Sequence, residues 1–155
     1  MYWESEITVP LSQYIDACQQ LLATDPTLTE VYALDVIGDW RGSLRNYDAM
    51  LKAGVPAIPT FHATDPPEML AEVCAMHDKI AVGGCVGMNP SRRIEVAAQV
   101  FARVWPKKIH GFGYGMREAI MALPFHSVDA TTWQVGPCRF GRWEAYGGKR
   151  LSIRG

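Results

Sequence analysis

Residues 79–111 read KIAVGGCVGMNPSRRIEVAAQVFARVWPKKIHG, and their pattern of apolar residues decides the fold. The short apolar runs at residues 79–83 and 107–111 each predict a strand that is buried on both faces. Between them, Asn89-Pro90 predicts a helix start, and the apolar residues that follow recur at the spacing of one helix face. They are Ile94, Ala97, Ala98, Phe101 and Val104. A strand, a helix and a strand in this order are typical of a right-handed βαβ unit with parallel strands.

The same alternation extends over most of the chain. Further strands are predicted at residues 31–38, 57–62 and 125–128. Further helices are predicted at residues 10–23, from an N-cap at Ser43 to the closing Gly54, from an N-cap at Asp65 to about residue 76, and at residues 117–123.

Five strands separated by helices predict an α/β fold with a parallel sheet. Because a complete (β/α)₈ barrel takes about 250 residues, we expect a partial or shortened TIM-type barrel. We assign residues 1–135 to this barrel-like domain and residues 136–155 to a basic C-terminal segment.

The composition is that of one globular domain. The chain has 155 residues, of which 48% are hydrophobic and 20% charged, so a disordered protein is excluded. No apolar run approaches a membrane span and the start lacks the pattern of a signal peptide, so we expect a cytoplasmic protein without membrane contact. The four cysteines form no CxxC pair, which argues against a disulfide framework and a structural zinc site.

The net charge of −1 conceals an uneven distribution of charge. Residues 1–78 contain 12 acidic and 3 basic side chains, whereas residues 79–155 contain 4 acidic and 12 basic ones. The basic residues near the C-terminus are interleaved with Trp143 and Tyr146, a combination suited to phosphates and stacked bases. The alternative is an ordinary solvated segment. The residues expected to contact a nucleic-acid backbone are Arg139, Arg142, Lys149 and Arg150.

Polar residues or glycines recur where the predicted strands end. In parallel α/β folds ligands bind at this edge of the sheet, so the recurrence predicts a pocket. The residues are Asp35 and Asp39 at the end of the first strand, His62 at the second, Gly83 and Gly84 at the third, His110, Gly111 and Gly113 at the fourth, and Asp129 at the fifth.

Each of these residues has a structural alternative. Asp35 lies in an apolar run, where a carboxylate needs a donor partner or a ligand. For Asp39, close to Ser43, capping of the next helix is the favoured interpretation. The two histidines are equally suited to a hydrogen-bonded place in the core, and the glycines to tight turns that do not match a GxGxxG fingerprint. Asp129 is the strongest candidate, and its residue type suits a nucleophile, a metal ligand or a general base.

Six segments in order resemble the phage-encoded, barrel-shaped proteins related to tRNA-guanine transglycosylases. The resemblance spans roughly residues 30–141. That family exchanges a guanine in tRNA or DNA for a 7-deazaguanine such as queuine or its precursors. The segments are Leu34–Asp39, Asn46–Asp48, Ile58–His62, Ile80–Gly84, Ile109–Gly113 and Ser127–Trp133.

The resemblance implies a role for each matching residue. Asp129 is the nucleophile, which attacks the anomeric carbon, expels guanine and forms a glycosyl-enzyme ester. Asp35 binds N1 and the exocyclic amine of the base, and Gly83, Gly84 and Gly113 shape the base pocket. His110 is assigned to base binding, and His62 and Trp133 to pocket lining or stacking. The partners implied are DNA or tRNA and a 7-deazaguanine-type base, with no cofactor and no metal.

The chain departs from the family pattern in three respects. It lacks the Asp-Ser-Gly-Gly-Phe type segment with its second essential aspartate, it lacks the cysteine-rich zinc site, and Ala130-Thr131-Thr132 stands where the tRNA enzymes have Pro-Thr-Arg. Three explanations are open: an inactive relative, a gene fragment, or a protomer that completes its site as a homo-oligomer.

Two other functions compete with base exchange. Asp35, His62, His110 and Asp129 have the residue types of a zinc, iron or manganese site for hydrolysis. A non-catalytic binding module built on an incomplete barrel is the third hypothesis.

Overall fold

The computed structural model describes residues 9–85 and 87–129, together with two strands at residues 142–145 and 149–152. Helices and parallel strands alternate along the chain up to residue 129, which confirms the α/β class. In the described part of the chain, no helix has the length and hydrophobicity that crossing a membrane requires. The helices are α1 (Leu11–Thr24), α2 (Trp40–Lys52), α3 (Pro67–Met76), α4 (Pro90–Val104) and α5 (Arg117–Ala122). The strands are β1 (Val31–Tyr32), β2 (Ala57–Ile58), β3 (Thr60–His62), β4 (Lys79–Gly83), β5 (Lys108–Phe112), β6 (Ser127–Asp129), β7 (Arg142–Ala145) and β8 (Lys149–Ser152).

The strands of the α/β unit form two parallel ladders that meet at Pro59. β1 pairs with β2, and β3, β4, β5 and β6 pair in that order. Pro59 separates β2 from β3, and its carbonyl accepts a hydrogen bond of 2.9 Å from the Ala81 amide on β4. The strand predicted at residues 57–62 is therefore present, with a break at the proline, which has no N–H to donate.

The two faces of the four-stranded sheet differ in polarity. On one face, Phe61, Ile80, Val82 and Ile109 pack in a core with apolar residues of α3, α4 and α5. Because neighbouring residues of a strand point to opposite faces, the other face carries the residues between them. These form two rows in register, Thr60, Ala81, His110 and Ser127 in the first, and His62, Gly83, Phe112 and Asp129 in the second.

The polar face is concave. The ring of Tyr32, on β1, lies 4.7 Å from the rings of both His110 and Phe112 on β5, measured between centroids. In a flat sheet these strands would lie about 14 Å apart, three times the usual strand spacing. The contact therefore requires the sheet to curve around its polar face. Helix α1 closes the free edge of β1, where the Tyr14 hydroxyl donates to the Tyr32 carbonyl at 2.9 Å.

Local signals predicted most helix boundaries, but two predicted caps were wrong. Asn89 caps α4 as predicted, accepting from the Arg92 amide at 2.9 Å. Helix α2 begins earlier than predicted, because Asp39 accepts from the Gly42 amide, whereas Ser43 lies inside the helix. Asp65 does not cap α3. Pro66 occupies the N-cap, and the Asp65 carboxylate instead accepts the His62 amide at 2.7 Å.

Several strands also differ from the prediction. The run at residues 31–38 is regular strand only over β1, and the last two strands of the parallel sheet lie one or two residues later than predicted. The basic segment at residues 136–155 contains an antiparallel pair, β7 and β8, which was not predicted.

Candidate functional site

Four residues from different strands form one row at the carboxyl edge of the sheet. His62 pairs in register with Gly83, and Phe112 pairs with Asp129. A Cβ atom placed on Gly83 would lie 3.5 Å from the Cβ of Phe112 and 3.7 Å from Cδ2 of His62, so these two side chains flank the glycine. The row thus brings three predicted site residues, His62, Gly83 and Asp129, to the same face of the sheet at its carboxyl edge.

A cavity of about 450 Å³ opens at this edge. Four predicted site residues, Asp35, His62, Gly83 and Gly84, line it, together with three aromatic side chains. Asp129, His110 and Gly113 are not among its lining residues. The full lining is Tyr14, Tyr32, Ala33, Leu34, Asp35, Thr60, His62, Gly83, Gly84 and Phe112.

The imidazole of His62 is held between two carboxylates. Its Nε2 lies 2.8 Å from Oδ2 of Asp35, and its Nδ1 lies 3.4 Å from Oδ2 of Asp65. The Asp65 side chain is only 6% exposed and also accepts the His62 amide, so Asp65 holds the imidazole on the side opposite Asp35. The Asp35 side chain is 36% exposed, and Asp35 lines the cavity. Asp35 therefore has the donor partner that its place in an apolar run requires.

The charged form of this pair is favoured. The hydrogen bond to Asp35 raises the pKa of His62, although burial opposes the change. The same hydrogen bond lowers the pKa of Asp35, again against burial. The ion pair therefore stabilises the fold between the lowered pKa of Asp35 and the raised pKa of His62, and its contribution is lost outside that window.

His62→Gln is expected to cost more stability in mild acid than at alkaline pH. The contribution of a histidine whose pKa is raised by folding is complete below about pH 6.5, the ordinary histidine value, and disappears as pH rises through the raised pKa. We expect the cost of the substitution to be about 1 kcal/mol larger at pH 5.5 than at pH 9, because the charged hydrogen bond is partly exposed to water.

Urea unfolding of wild type and variant at both pH values measures the difference. The comparison with wild type is needed because burial lowers the pKa of His110, and this histidine destabilises the fold on acidification. An equal cost of His62→Gln at pH 5.5 and pH 9 would contradict the proposed ion pair.

Gly84 allows the two site loops to approach closely. Its φ of +71° lies in the left-handed region, which favours glycine, and a Cβ atom there would lie 2.8 Å from the Cβ of His62. A side chain at this position would therefore push His62 away from Asp35.

His110 lies in the row next to that of Gly83, on the same concave face, but does not line the cavity. Its Nδ1 is 2.8 Å from the Ser127 hydroxyl, and its ring contacts those of Tyr32 and Phe112. Burial lowers its pKa, with the nearby Asp129 charge opposing, so the neutral ring is favoured. Its Nε2 is buried without a hydrogen-bond partner in the described part of the chain.

Asp129 ends β6 with an exposed carboxylate. Its Oδ1 accepts a hydrogen bond of 2.8 Å from the Gly113 amide, at the turn that follows β5. Gly113 has a φ of +75°, in the left-handed region that favours glycine. Asp35 and Asp129 thus belong to separate hydrogen-bonded groups at the same edge of the sheet. Phe112 lies between these groups, because it lines the cavity and pairs in register with Asp129.

The hypothesis of a four-residue metal cluster is not supported by this arrangement. Asp35 is bonded to His62, His110 to Ser127, and Asp129 to the Gly113 amide. Within residues 9–85 and 87–129, no group of three or more His, Cys, Asp or Glu side chains is arranged to hold a metal ion.

Sequence reasoning missed several residues of this site. Tyr32 and Phe112 provide aromatic walls, and Asp65 contacts His62. The sequence predicted Tyr32 as strand interior, Phe112 as part of a glycine-rich turn and Asp65 as a helix cap. The alternation of side chains along β5, combined with His110, was the available signal for Phe112. Trp133 and Arg139 lie outside the described residues. Arg142 lies in β7, and Lys149 and Arg150 lie in β8.

Comparisons with protein-family models, curated proteins and solved structures found no match to this chain.

Proposed function

We propose that this chain is a base-exchange glycosyltransferase that replaces guanine in DNA or tRNA by a 7-deazaguanine. The observation that carries the proposal is the cavity at the carboxyl edge, where the oriented Asp35 carboxylate faces aromatic walls and two glycines. The resemblance of six ordered segments to tRNA-guanine transglycosylase relatives supports the same chemistry.

The cavity is suited to a flat, donor-rich heterocycle. An ionised carboxylate accepts hydrogen bonds only, and guanine offers neighbouring donors at N1 and at its exocyclic amine. The side chains of Tyr32 and Phe112 provide apolar contact, and the glycines leave room for the base. The volume of about 450 Å³ falls in the range of roughly 300–1,000 Å³ for small-ligand pockets.

Asp129 is the proposed nucleophile. One oxygen of its carboxylate attacks C1′ of the nucleotide while the C1′–N9 bond breaks, and guanine leaves with the bonding electrons on N9. The departing guanine takes up a proton at N9 from solvent. The incoming base then attacks C1′ through its own ring nitrogen, loses the proton of that nitrogen to solvent and releases the aspartate as the C1′–O bond of the ester breaks. The hydrogen bond from Gly113 occupies Oδ1. Oδ2 is therefore the oxygen proposed to attack.

The architecture proposed for this site is a partial (β/α)₈ barrel. Helices pack on the convex face, and the concave face carries side chains in rows, as in the layered interior of a barrel. The site would then lie at the carboxyl face of the strands, where TIM-barrel enzymes bind their substrates.

Trapping of a covalent adduct tests the proposal. The purified full chain is incubated with guanine-containing DNA or tRNA and resolved on a denaturing gel. A band that carries both polymer and protein, chased away by added 7-deazaguanine base, is expected. Binding without adduct or base release would contradict base exchange and support the non-catalytic binding module.

The β7–β8 hairpin is proposed to contact the phosphate backbone. Arg142 pairs with Ser152 and Glu144 with Arg150, so each arginine lies in the paired part of the two strands. Lys149 pairs with Ala145.

Replacing both Arg142 and Arg150 by alanine is expected to flatten the salt dependence of nucleic-acid binding. Loss of two phosphate contacts reduces the slope of log K against log salt by about 1.8 on duplex DNA. Lys149→Ala, the single-charge control, should reduce it by at most about 0.9. Fluorescence anisotropy at several salt concentrations measures the slopes, and an unchanged slope in the double variant would exclude the hairpin from phosphate binding.

A further inference from the structure

We propose that Arg93 is a positioning residue that fixes the Asp129 carboxylate by clamping two loops of the site together. Arg93 lies in the first turn of α4, outside the cavity. Its Nε donates to the Met88 carbonyl at 3.1 Å, and its Nη1 donates to the Gly113 carbonyl at 3.2 Å. One guanidinium therefore joins the loop after β4 to the loop after β5.

The clamp reaches Asp129 through the backbone of one glycine. Gly113 gives its carbonyl to Arg93 and its amide to Oδ1 of Asp129. Because glycine has wide backbone freedom, an isolated Gly113 would sample many orientations of its N–H. Holding the carbonyl restricts this freedom and keeps the amide directed at the carboxylate. The planar fork of arginine suits two carbonyls at once, whereas a lysine ammonium is a single point.

A second set of contacts joins the same loops without the Arg93 side chain. The Tyr114 hydroxyl donates to the main-chain carbonyl of Arg93 at 3.1 Å and lies 3.0 Å from the Cys85 sulfur. Tyr114 is fully buried. A substitution of the Arg93 side chain therefore leaves this buried contact in place, and we expect the fold to survive it.

Arg93→Met is expected to lower kcat for base exchange by about 10- to 100-fold and to leave KM within about twofold, since misplacement of a reacting group slows the chemical step more than it weakens binding. This effect on rate rests on the proposed function. Arg93→Lys should restore only part of the loss. Arg92→Met is the matched control, because the neighbouring guanidinium pairs with Glu95 at 2.7 Å and contacts neither loop carbonyl.

The Gly113 amide provides a readout that is independent of catalysis. Its proton resonance in a ¹H–¹⁵N spectrum should shift in Arg93→Met and in Asp129→Asn, and should remain in place in Arg92→Met. If Arg93→Met leaves this resonance unchanged, or if Arg93→Lys restores the full rate, the proposed positioning role of Arg93 is wrong. If the resonance shifts as expected but the wild type shows no base exchange, the positioning role of Arg93 is supported and the proposed function fails.

Discussion

Replacing Asp129 by asparagine is expected to abolish base exchange, with a rate loss of roughly 1,000-fold or more, as seen when an enzyme loses its nucleophile. An amide oxygen is a far weaker nucleophile than a carboxylate and does not form the ester intermediate. The fold should be unaffected, because the side chain is exposed and its amide oxygen still accepts the Gly113 N–H.

The covalent adduct and the release of labelled guanine measure this effect. Asp78→Asn is the matched control, since that exposed carboxylate precedes β4 at the opposite end of the sheet. The control should exchange bases like the wild type. Retained exchange in Asp129→Asn would remove this residue from the mechanism, even if the cavity binds guanine.

Local signals in the sequence correctly predicted the N-cap of α4 but not the N-cap of α3. Asn89-Pro90 specifies a helix start by its own chemistry, because the side chain caps the Arg92 amide and the proline fits the first turn. Asp65-Pro66-Pro67-Glu68 has an equally good local pattern. There, however, the carboxylate has a competing partner in the preceding turn, the His62 amide and ring, and that contact is made instead.

The length of β1 depended on a tertiary interaction that sequence patterns do not contain. After Ala33, the backbone groups of the apolar run bond to side chains of α2 rather than to a strand. Ser43 accepts the Val36 amide at 2.8 Å, and Asn46 donates to the Leu34 carbonyl at 2.9 Å. Because these groups are satisfied by a helix, the chain leaves the ladder and brings Asp35 toward His62.

The location of the candidate site at the carboxyl edge of the sheet was predictable from the sequence, but the contacts between its residues were not. The rule that ligands bind at the carboxyl ends of parallel strands identified Asp35, His62, Gly83 and Gly84, which line one cavity. The row of the sheet in which each side chain lies depends on strand register. That register places His110 in the row of Ser127, below the row that contains Gly83.

Gly83→Leu is expected to weaken guanine binding by about 100-fold or more while the protein remains folded. The backbone of Gly83 is not in the left-handed region, and a Cβ atom there makes only ordinary contacts with Phe112 and His62. Alanine therefore fits. The additional atoms of leucine extend into the cavity that Gly83 lines, where they occupy the space proposed for the base.

Calorimetric titration with guanine and thermal unfolding separate blocking of the cavity from loss of the fold. Gly83→Ala is the control, for which we expect binding within a few-fold of wild type. Gly84→Ala should behave differently, because a left-handed φ and a Cβ only 2.8 Å from His62 lower stability by about 1–3 kcal/mol. Wild-type guanine affinity in a folded Gly83→Leu variant would show that the base does not occupy this cavity, and the proposed role of Asp35 in base recognition would fail with it.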